Sequence, residues 1–502
     1  MKNIIKMELK KAIISKFFLM GLAILLLFAI LSGIYMLENR VSYNPNDITS
    51  LEYYFENGKF KTNPDLSLYG FYNSWVGGEA LSLFQSLFFN LLPIGAAIPF
   101  AWSYHTERKS GYLKNIASRT SISEYLREDI KDLCTGWIPE DKRSEDVLLV
   151  YSHFPASRGQ YKKKTNPVLF RIYTSNSGEV VRDTLMIYEE TAISASAPQM
   201  KTVLEYVNEN FPAKSYGMIF SSHATGYLPS GFYGKPGSFV FSEQSEGSGA
   251  LRTMRMPTTY FEVNSDPDAP AVKSVGQDVN GSTAYEMDLK DFAAAIPMKL
   301  DYILFDACLM GGIEVAYELA GKCDKVGFSQ AEVLAEGFNY STLTGHLLGN
   351  RPESDPLGVC DDYFQQYDIQ SGVYRSATIS LIDCNRLEPL AGCCKTLFEK
   401  YRTEIDGVRP SDIQRFYRSN HHWFYDLESI LIHAGITEEE LQDLHDALDM
   451  CVLYKGHTPG FMNEFTIDTF SGFSMYLPCN GTNELDKYYQ TLKWNKATDL
   501  VK

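Results

Sequence analysis

The chain has 502 residues and a net charge of −16, with 46 Lys and Arg against 62 Asp and Glu. That length predicts two to four domains, 45% hydrophobic residues supply a large core, and the acidic balance excludes a nucleic-acid partner. The nine cysteines are odd in number and scattered over a long chain, which excludes the disulfide framework of a small secreted domain.

The charge is unevenly placed. Residues 1–126 hold 12 Lys and Arg against 9 Asp and Glu, so the acidic excess sits in the remainder. Residues 17–37 carry no charged side chain, and a run of that length spans a bilayer. Lys2, Lys6, Lys10, Lys11 and Lys16 precede it, which puts the N terminus in the cytoplasm. A signal peptide is the alternative, but the run is long and no small-residue cleavage site follows cleanly. Residues 38–79 read as an external loop with a turn cluster at Asn44-Pro45-Asn46-Asp47. Residues 80–104 are again free of charge; Pro93 and Pro99 are tolerated in membrane helices. Arg108, Lys109, Lys114 and Arg119 follow and return the chain to the cytoplasm. The expectation is a multi-pass membrane segment over 1–126 with transmembrane helices at about 14–37 and 80–104. This quarter, with its "ERKSGYLKNIASRTSISEYL" stretch, resembles the start of an ABC-2-type transporter permease. Two spans build no transport pathway, so no transport is expected.

Residues 127–140 form a junction with no long linker. Cys134 follows Ile130-Lys131-Asp132-Leu133, a poor acylation signal, and reads as a free thiol rather than a lipid-attachment site. Beyond it, Asp146–Ser152, Val168–Tyr173 and Asp183–Tyr188 have the apolar content of strands. Met200, Val203, Leu204 and Val207 have helical spacing.

Two later stretches share one grammar. Tyr216–Ser222 is a strand-like run ending in His223-Ala224-Thr225-Gly226. Tyr302–Phe305 is another, ending in Asp306-Ala307-Cys308 and turning into Ile313–Leu319, which has helical spacing. The two lie 85 positions apart, His223 to Cys308. Residues 229–285 between them are rich in Gly, Ser, Pro and Asp and read as long surface loops. Met287–Ala295 reads as a short helix, Lys325–Gln330 and Ala377–Ile382 as strands, and Arg386–Tyr401 as a helix. Further helices are expected at Asp426–His433 and Glu438–Leu453, with a strand at Gly472–Leu477. Strands alternating with helices suggest a mostly parallel sheet covered on both faces, with sites outside the carboxyl ends of its strands. A thiol and an imidazole at two such ends are the parts of a cysteine nucleophile and its base.

The blocks "IFSSHATGYLP" and "YILFDACLMGGIEVAYEL" resemble the clostripain-like cysteine peptidases, relatives of the caspases and legumains, over about residues 140–495. Ala224 stands where that family usually has glycine. The resemblance implies an α/β protein, a caspase-like three-layer α/β/α sandwich with a mostly parallel sheet, beside the N-terminal pair of transmembrane helices. It assigns 141–405 to the peptidase domain, leaving 406–502 as a helical addition. It further implies a cysteine endopeptidase acting on protein or peptide substrates. Cys308 would be the nucleophile and His223 the general acid and base, with the backbone N–H groups of Cys308 and Ala224 as oxyanion donors. Cleavage after Arg or Lys is implied, with Asp306 and Glu336 as the pocket acids, and the loops at 229–285 would cover the cleft or be cut in activation. The family is usually exported, whereas the charge rule puts the peptidase in the cytoplasm.

No cofactor or metal is expected. Cys393-Cys394 is adjacent rather than Cys-x-x-Cys, His421-His422 has no partner at ligand spacing, and Asp266, Asp268, Asp361 and Asp362 match no calcium-loop signature. His153 also ends a strand-like run and reads as structural. His346, His421, His422, His433, His445 and His457 have no motif around them. The competing class is a non-catalytic, membrane-anchored binding protein, or a non-functional fusion of a truncated permease with a peptidase domain. A thiol-directed label bearing a basic side chain discriminates them by whether it reacts with Cys308.

Overall fold

The computed structural model describes residues 129–153, 166–190, 192–222, 224–230, 287–349, 351–417 and 423–502, with short pieces at 26–27, 30–31, 53–56, 59–62, 253–255, 278–280 and 283–285. The chain divides into two compact units, Met1–Leu113 and Lys114–Lys502. In the first, Tyr53–Glu56 and Lys59–Thr62 form an antiparallel hairpin. The two expected membrane spans fall almost wholly outside the described residues. Among the described residues no helix is long and apolar enough to cross a membrane.

The second unit opens with strands β1 (Leu148–Ser152), β2 (Val168–Thr174) and β3 (Val180–Ile187), then helix α1 (Ala197–Asn210) and β4 (Gly217–Ser221). Helix α2 (Leu289–Ala295), strand β5 (Leu300–Asp306), helix α3 (Ile313–Leu319) and strand β6 (Cys323–Phe328) follow. Next come α4 (Tyr340–Leu347), α5 (Pro356–Asp368), β7 (Thr378–Asp383) and α6 (Glu388–Lys400). The chain ends with α7 (Arg402–Gly407), β8 (Tyr425–Asp426), α8 (Leu427–His433), α9 (Glu438–Cys451), β9 (Val452–His457), β10 (Gly460–Phe461), β11 (Phe465–Thr466), β12 (Ser474–Met475), α10 (Asn483–Tyr489) and α11 (Lys493–Thr498).

The central sheet has five strands in the order β9-β7-β6-β5-β4. Strands β4, β5 and β6 run parallel, whereas β6–β7 and β7–β9 are antiparallel. The fold is a mixed α/β fold with a mixed sheet, and the expected mostly parallel sheet describes only its β4–β5–β6 half. Physically, β7 alone is reversed: it is antiparallel to both of its neighbours, so β9 at the edge again runs in the sense of β4, β5 and β6. Strands β1, β2 and β3 do not join this sheet; they form an antiparallel meander of their own. Strand β3 alternates exposed and half-buried positions, the pattern of a sheet with one wet face.

The region expected as a helical addition supplies strand β9 to the central sheet as well as helices. Helix α9 ends at Cys451 and the strand starts at once at Val452, so a continuous apolar pattern hides the change of element. The last helix, α11, docks through Trp494, fully buried, with its ring 5.4 Å from that of Tyr317 on α3 and 6.5 Å from that of Phe398 on α6. Truncating a buried Trp costs about 3–5 kcal/mol, so the C terminus fastens the helix that follows Cys308.

Candidate active site

Strand β5 is an apolar run, and its Ile303, Leu304 and Phe305 are at most 1% exposed. It pairs with β4 in the register Tyr302 to Gly217 through Asp306 to Ser221. Glycine fixes that register: a Cβ at Gly217 would stand 1.9 Å from the Tyr302 ring. The two motif blocks therefore leave the sheet side by side. From the Ser221–Asp306 pair, two further residues along one chain reach His223 and two along the other reach Cys308. His223 itself lies outside the described residues; Ser222 and Ala224 flank it.

Cys308 sits in the turn between β5 and α3. The next residue, Leu309, has φ +61°, a left-handed conformation that costs a non-glycine residue about 1–2 kcal/mol. The surroundings hold it there. The Leu309 N–H donates to Ala331 O at 2.9 Å and the Gly311 N–H to Ser329 O at 2.7 Å. Gly226, also at φ +61°, packs against Leu309 O, and a Cβ there would come within 2.4 Å of that oxygen. The cysteine turn is thus held between the segment after β4 and the segment after β6. Cys308 is buried. The Val333 N–H donates to its Sγ at 3.3 Å, and the Sγ faces Val333 O at 3.8 Å. An N–H aimed at sulfur stabilises negative charge there.

Asp306 is fully buried. Its Oδ2 accepts from the Tyr340 hydroxyl at 2.7 Å and from Ser221 Oγ at 3.3 Å. Glu336 is half-buried in a turn closed by the Gly337 N–H donating to Leu334 O at 2.9 Å. Gly337, at φ +61°, accepts from the Tyr367 hydroxyl at 3.0 Å. Both acids reach the same aromatic cluster. Burial holds the Tyr367 phenol well above its ordinary range, with further push from Tyr363 and then from Glu336 and Asp306. Burial does the same to Tyr363, followed by the charges of Asp306 and Cys308, and to Tyr340, followed by Asp306 and Asp129. The structure brings Cys308, Asp306 and Glu336 to one end of the sheet.

Sequence reading missed Val333, Tyr340, Tyr363 and Tyr367. Tyr340 opens helix α4, 34 residues beyond Asp306, and carries no local motif. Only the pairing of helix and strand reveals it. The other described histidines have structural partners: Ser194 for His153, Asp355 and Asp362 for His346, Ser429 O for His433, Glu428 for His445 and Thr458 O for His457. His421 and His422 lie outside the described residues. Among the described residues no group of three His, Cys, Asp or Glu side chains is arranged to hold a metal ion.

The chain is similar to known proteins. Residues 262–499 match the model of the Clostripain family, Peptidase_C11. The inactive zymogen of a C11 protease from Parabacteroides distasonis is 25% identical, with a TM-score of 0.57 over 75% of this chain and 94% of that one. A secreted C11 cysteine protease from Bacteroides thetaiotaomicron, in complex with an irreversible peptide inhibitor, shares the fold at 22% identity, with a TM-score of 0.57 over 76% of this chain and 96% of that one. No curated protein matches the chain, and the permease resemblance of the N-terminal quarter finds no counterpart in these comparisons. The chain carries a clostripain-family (C11) domain, and with it the protein is a cysteine protease, a hydrolase.

Proposed function

We propose that the protein is a cysteine endopeptidase that cleaves peptide bonds after Arg or Lys by means of a Cys308–His223 dyad. The observation that carries this reading is the Ser221–Asp306 pairing, since it makes the strands that lead to His223 and Cys308 parallel neighbours. In the reaction, Cys308 Sγ bonds to the carbonyl carbon of the substrate. The His223 imidazolium gives a proton to the departing amine nitrogen as the C–N bond breaks. Water, deprotonated by His223, then attacks the thioester carbonyl; the C–S bond breaks and the thiol is restored. The oxyanion is held by the N–H groups of Cys308 and Ala224.

The Asp306 and Glu336 carboxylates supply the negative pocket for a guanidinium or ammonium group, a pairing strengthened by a site shielded from water. The inhibitor in the B. thetaiotaomicron complex is a peptide, which supports a peptide as substrate here. The charge-free runs at 17–37 and 80–104 support attachment of this protease to a membrane, tested by whether the full chain sediments with membranes after an alkaline wash.

The test of the chemistry uses the purified full chain and short amide substrates ending in Arg, Lys, Ala or Asp, with Cys308→Ala and His223→Ala as controls. Cleavage after Arg or Lys that is lost in both variants supports the reading. Cleavage after another residue keeps the dyad and overturns the pocket. Turnover that survives in Cys308→Ala overturns the dyad, and an inert wild type whose Cys308 resists a basic thiol-directed label favours the non-catalytic binding class.

A further inference from the structure

We infer that Glu314 is a positioning residue for the catalytic pair: its carboxyl group ties the segment that follows His223 to the turn that carries Cys308. This rests on the dyad proposed above. Glu314 lies six residues beyond Cys308 on the short helix α3 and is fully buried. Its Oε1 accepts from the Tyr489 hydroxyl at 2.6 Å and from the Tyr476 N–H at 2.9 Å. Its Oε2 makes no hydrogen bond with another described residue. A carboxyl group kept in such a place is expensive, so its retention calls for a use beyond filling space.

The partners of Glu314 form the bed on which Tyr227, in the segment after His223, lies. Tyr227, four residues past His223, is fully buried. Its ring meets the rings of Tyr489 at 5.7 Å, Tyr476 at 6.1 Å and Phe424 at 5.3 Å, and its hydroxyl donates to Trp423 O. The node also reaches the cysteine turn. The Ser474 N–H donates to Gly311 O at 2.8 Å. A Cβ added at Gly312 would stand 2.8 Å from Glu314 Oε2, so glycine is what lets the carboxyl group approach the turn, and Tyr227 Cδ1 lies at ordinary contact distance from the same point, 3.7 Å. Residues 226–228, 309–314, 474–476 and 489 are therefore one packed unit centred on Glu314. Burial pushes the Glu314 carboxyl up to about 7, against the pull of the Tyr489 and Tyr476 hydrogen bonds, in keeping with a group held by geometry rather than by a cation.

The experiment compares full-chain Glu314→Ala, Glu314→Gln and Tyr489→Phe with the wild type and Cys308→Ala. Each is read by thermal melting, by kcat and KM on a short Arg amide, and by the rate at which iodoacetamide alkylates Cys308 at pH 6.5. Glu314→Ala is expected to melt cooperatively, with kcat at least tenfold lower, KM within twofold and alkylation slowed in step. Glu314→Gln keeps a carbonyl acceptor for both donors and is expected to recover most of kcat. Tyr489→Phe is expected to lower kcat several-fold. A folded Glu314→Ala with wild-type kcat and alkylation overturns the inference, as does a Glu314→Gln as impaired as Glu314→Ala. Should Glu314→Ala fail to fold, wild-type kinetics in Tyr489→Phe overturns it. Activity persisting in Cys308→Ala is a separate outcome, which overturns the dyad and not the packing of the node.

Discussion

The Tyr340 hydroxyl donates to Asp306 Oδ2 at 2.7 Å, and both side chains are buried. The bond fixes the direction in which the carboxylate faces, two residues before Cys308. Tyr340→Phe keeps the ring and removes the shorter of the two hydrogen bonds that Oδ2 accepts from Tyr340 and Ser221. Losing one hydrogen bond to a buried charge costs about 1–3 kcal/mol. The expected outcome is a lower melting temperature and a roughly tenfold loss of kcat/KM on Arg or Lys amides, mostly in KM. Steady-state kinetics on the two proteins checks this, and an unchanged kcat/KM means that Asp306 is oriented without Tyr340.

The two acids proposed for the pocket differ in burial, and that difference separates their expected effects. Asp306 is fully buried whereas Glu336 is half-buried, so water screens Glu336 more. Asp306→Asn is expected to cut the preference for Arg over Ala by about a hundredfold, roughly 2.7 kcal/mol. Glu336→Gln is expected to cut it by about tenfold. The measurement is the ratio of kcat/KM for matched Arg and Ala amides. Ratios unchanged in both variants remove these acids from the pocket.

What could be read from the chain follows from how local each signal is. Strand β5 and helix α3 were legible because an unbroken apolar run and a 3.6-residue spacing are written in consecutive residues. The pairing of the His223 and Cys308 strands was legible only as a condition, since a strand does not name its neighbour; the structure meets that condition through the β4–β5 pairing. The expected helix Glu438–Leu453 runs two residues into strand β9 because Val452 and Leu453 extend the apolar pattern of α9 without a break. Tyr340, Val333 and Glu314 carry no local signal for a different reason. Each acts through a contact far away in sequence, 34 residues for Tyr340 to Asp306 and 175 for Tyr489 to Glu314.

Gly217 is where the alignment of the two catalytic strands is most exposed to mutation. A side chain there would overlap the Tyr302 ring, and a one-residue slip of a strand turns every side chain to the other face. Gly217→Val is expected to destabilise the fold by about 1–3 kcal/mol through overpacking. It should also lower kcat more than its melting temperature alone explains, because Ser221 no longer sits opposite Asp306. Gly217→Val combined with Tyr302→Ala makes room for the added side chain and is expected to regain part of both. A double variant no better than the single one sinks the register argument.

Glu314 gives the stability of the fold a pH dependence of known sign. Its carboxyl is raised from an ordinary 4.5 to about 7, chiefly by burial, with the Tyr489 and Tyr476 hydrogen bonds acting the other way. The groups that face it are Tyr227, Tyr476 and Tyr489, all uncharged near neutral pH. Between pH 4.5 and 7 the unfolded chain has released a proton that the folded chain still holds. Stability therefore falls as pH rises through that window: the contribution is complete below 4.5 and lost once pH passes about 7. The size is on the order of 3 kcal/mol at the top of the window. Glu314→Gln has no such proton, so denaturant unfolding of both proteins from pH 4 to 8 isolates the effect. The stability of the wild type relative to Glu314→Gln is expected to decline through the window and flatten above it. A difference that stays constant would falsify the raised ionisation, and one that grows with pH would mean that the buried carboxylate is charged and paired.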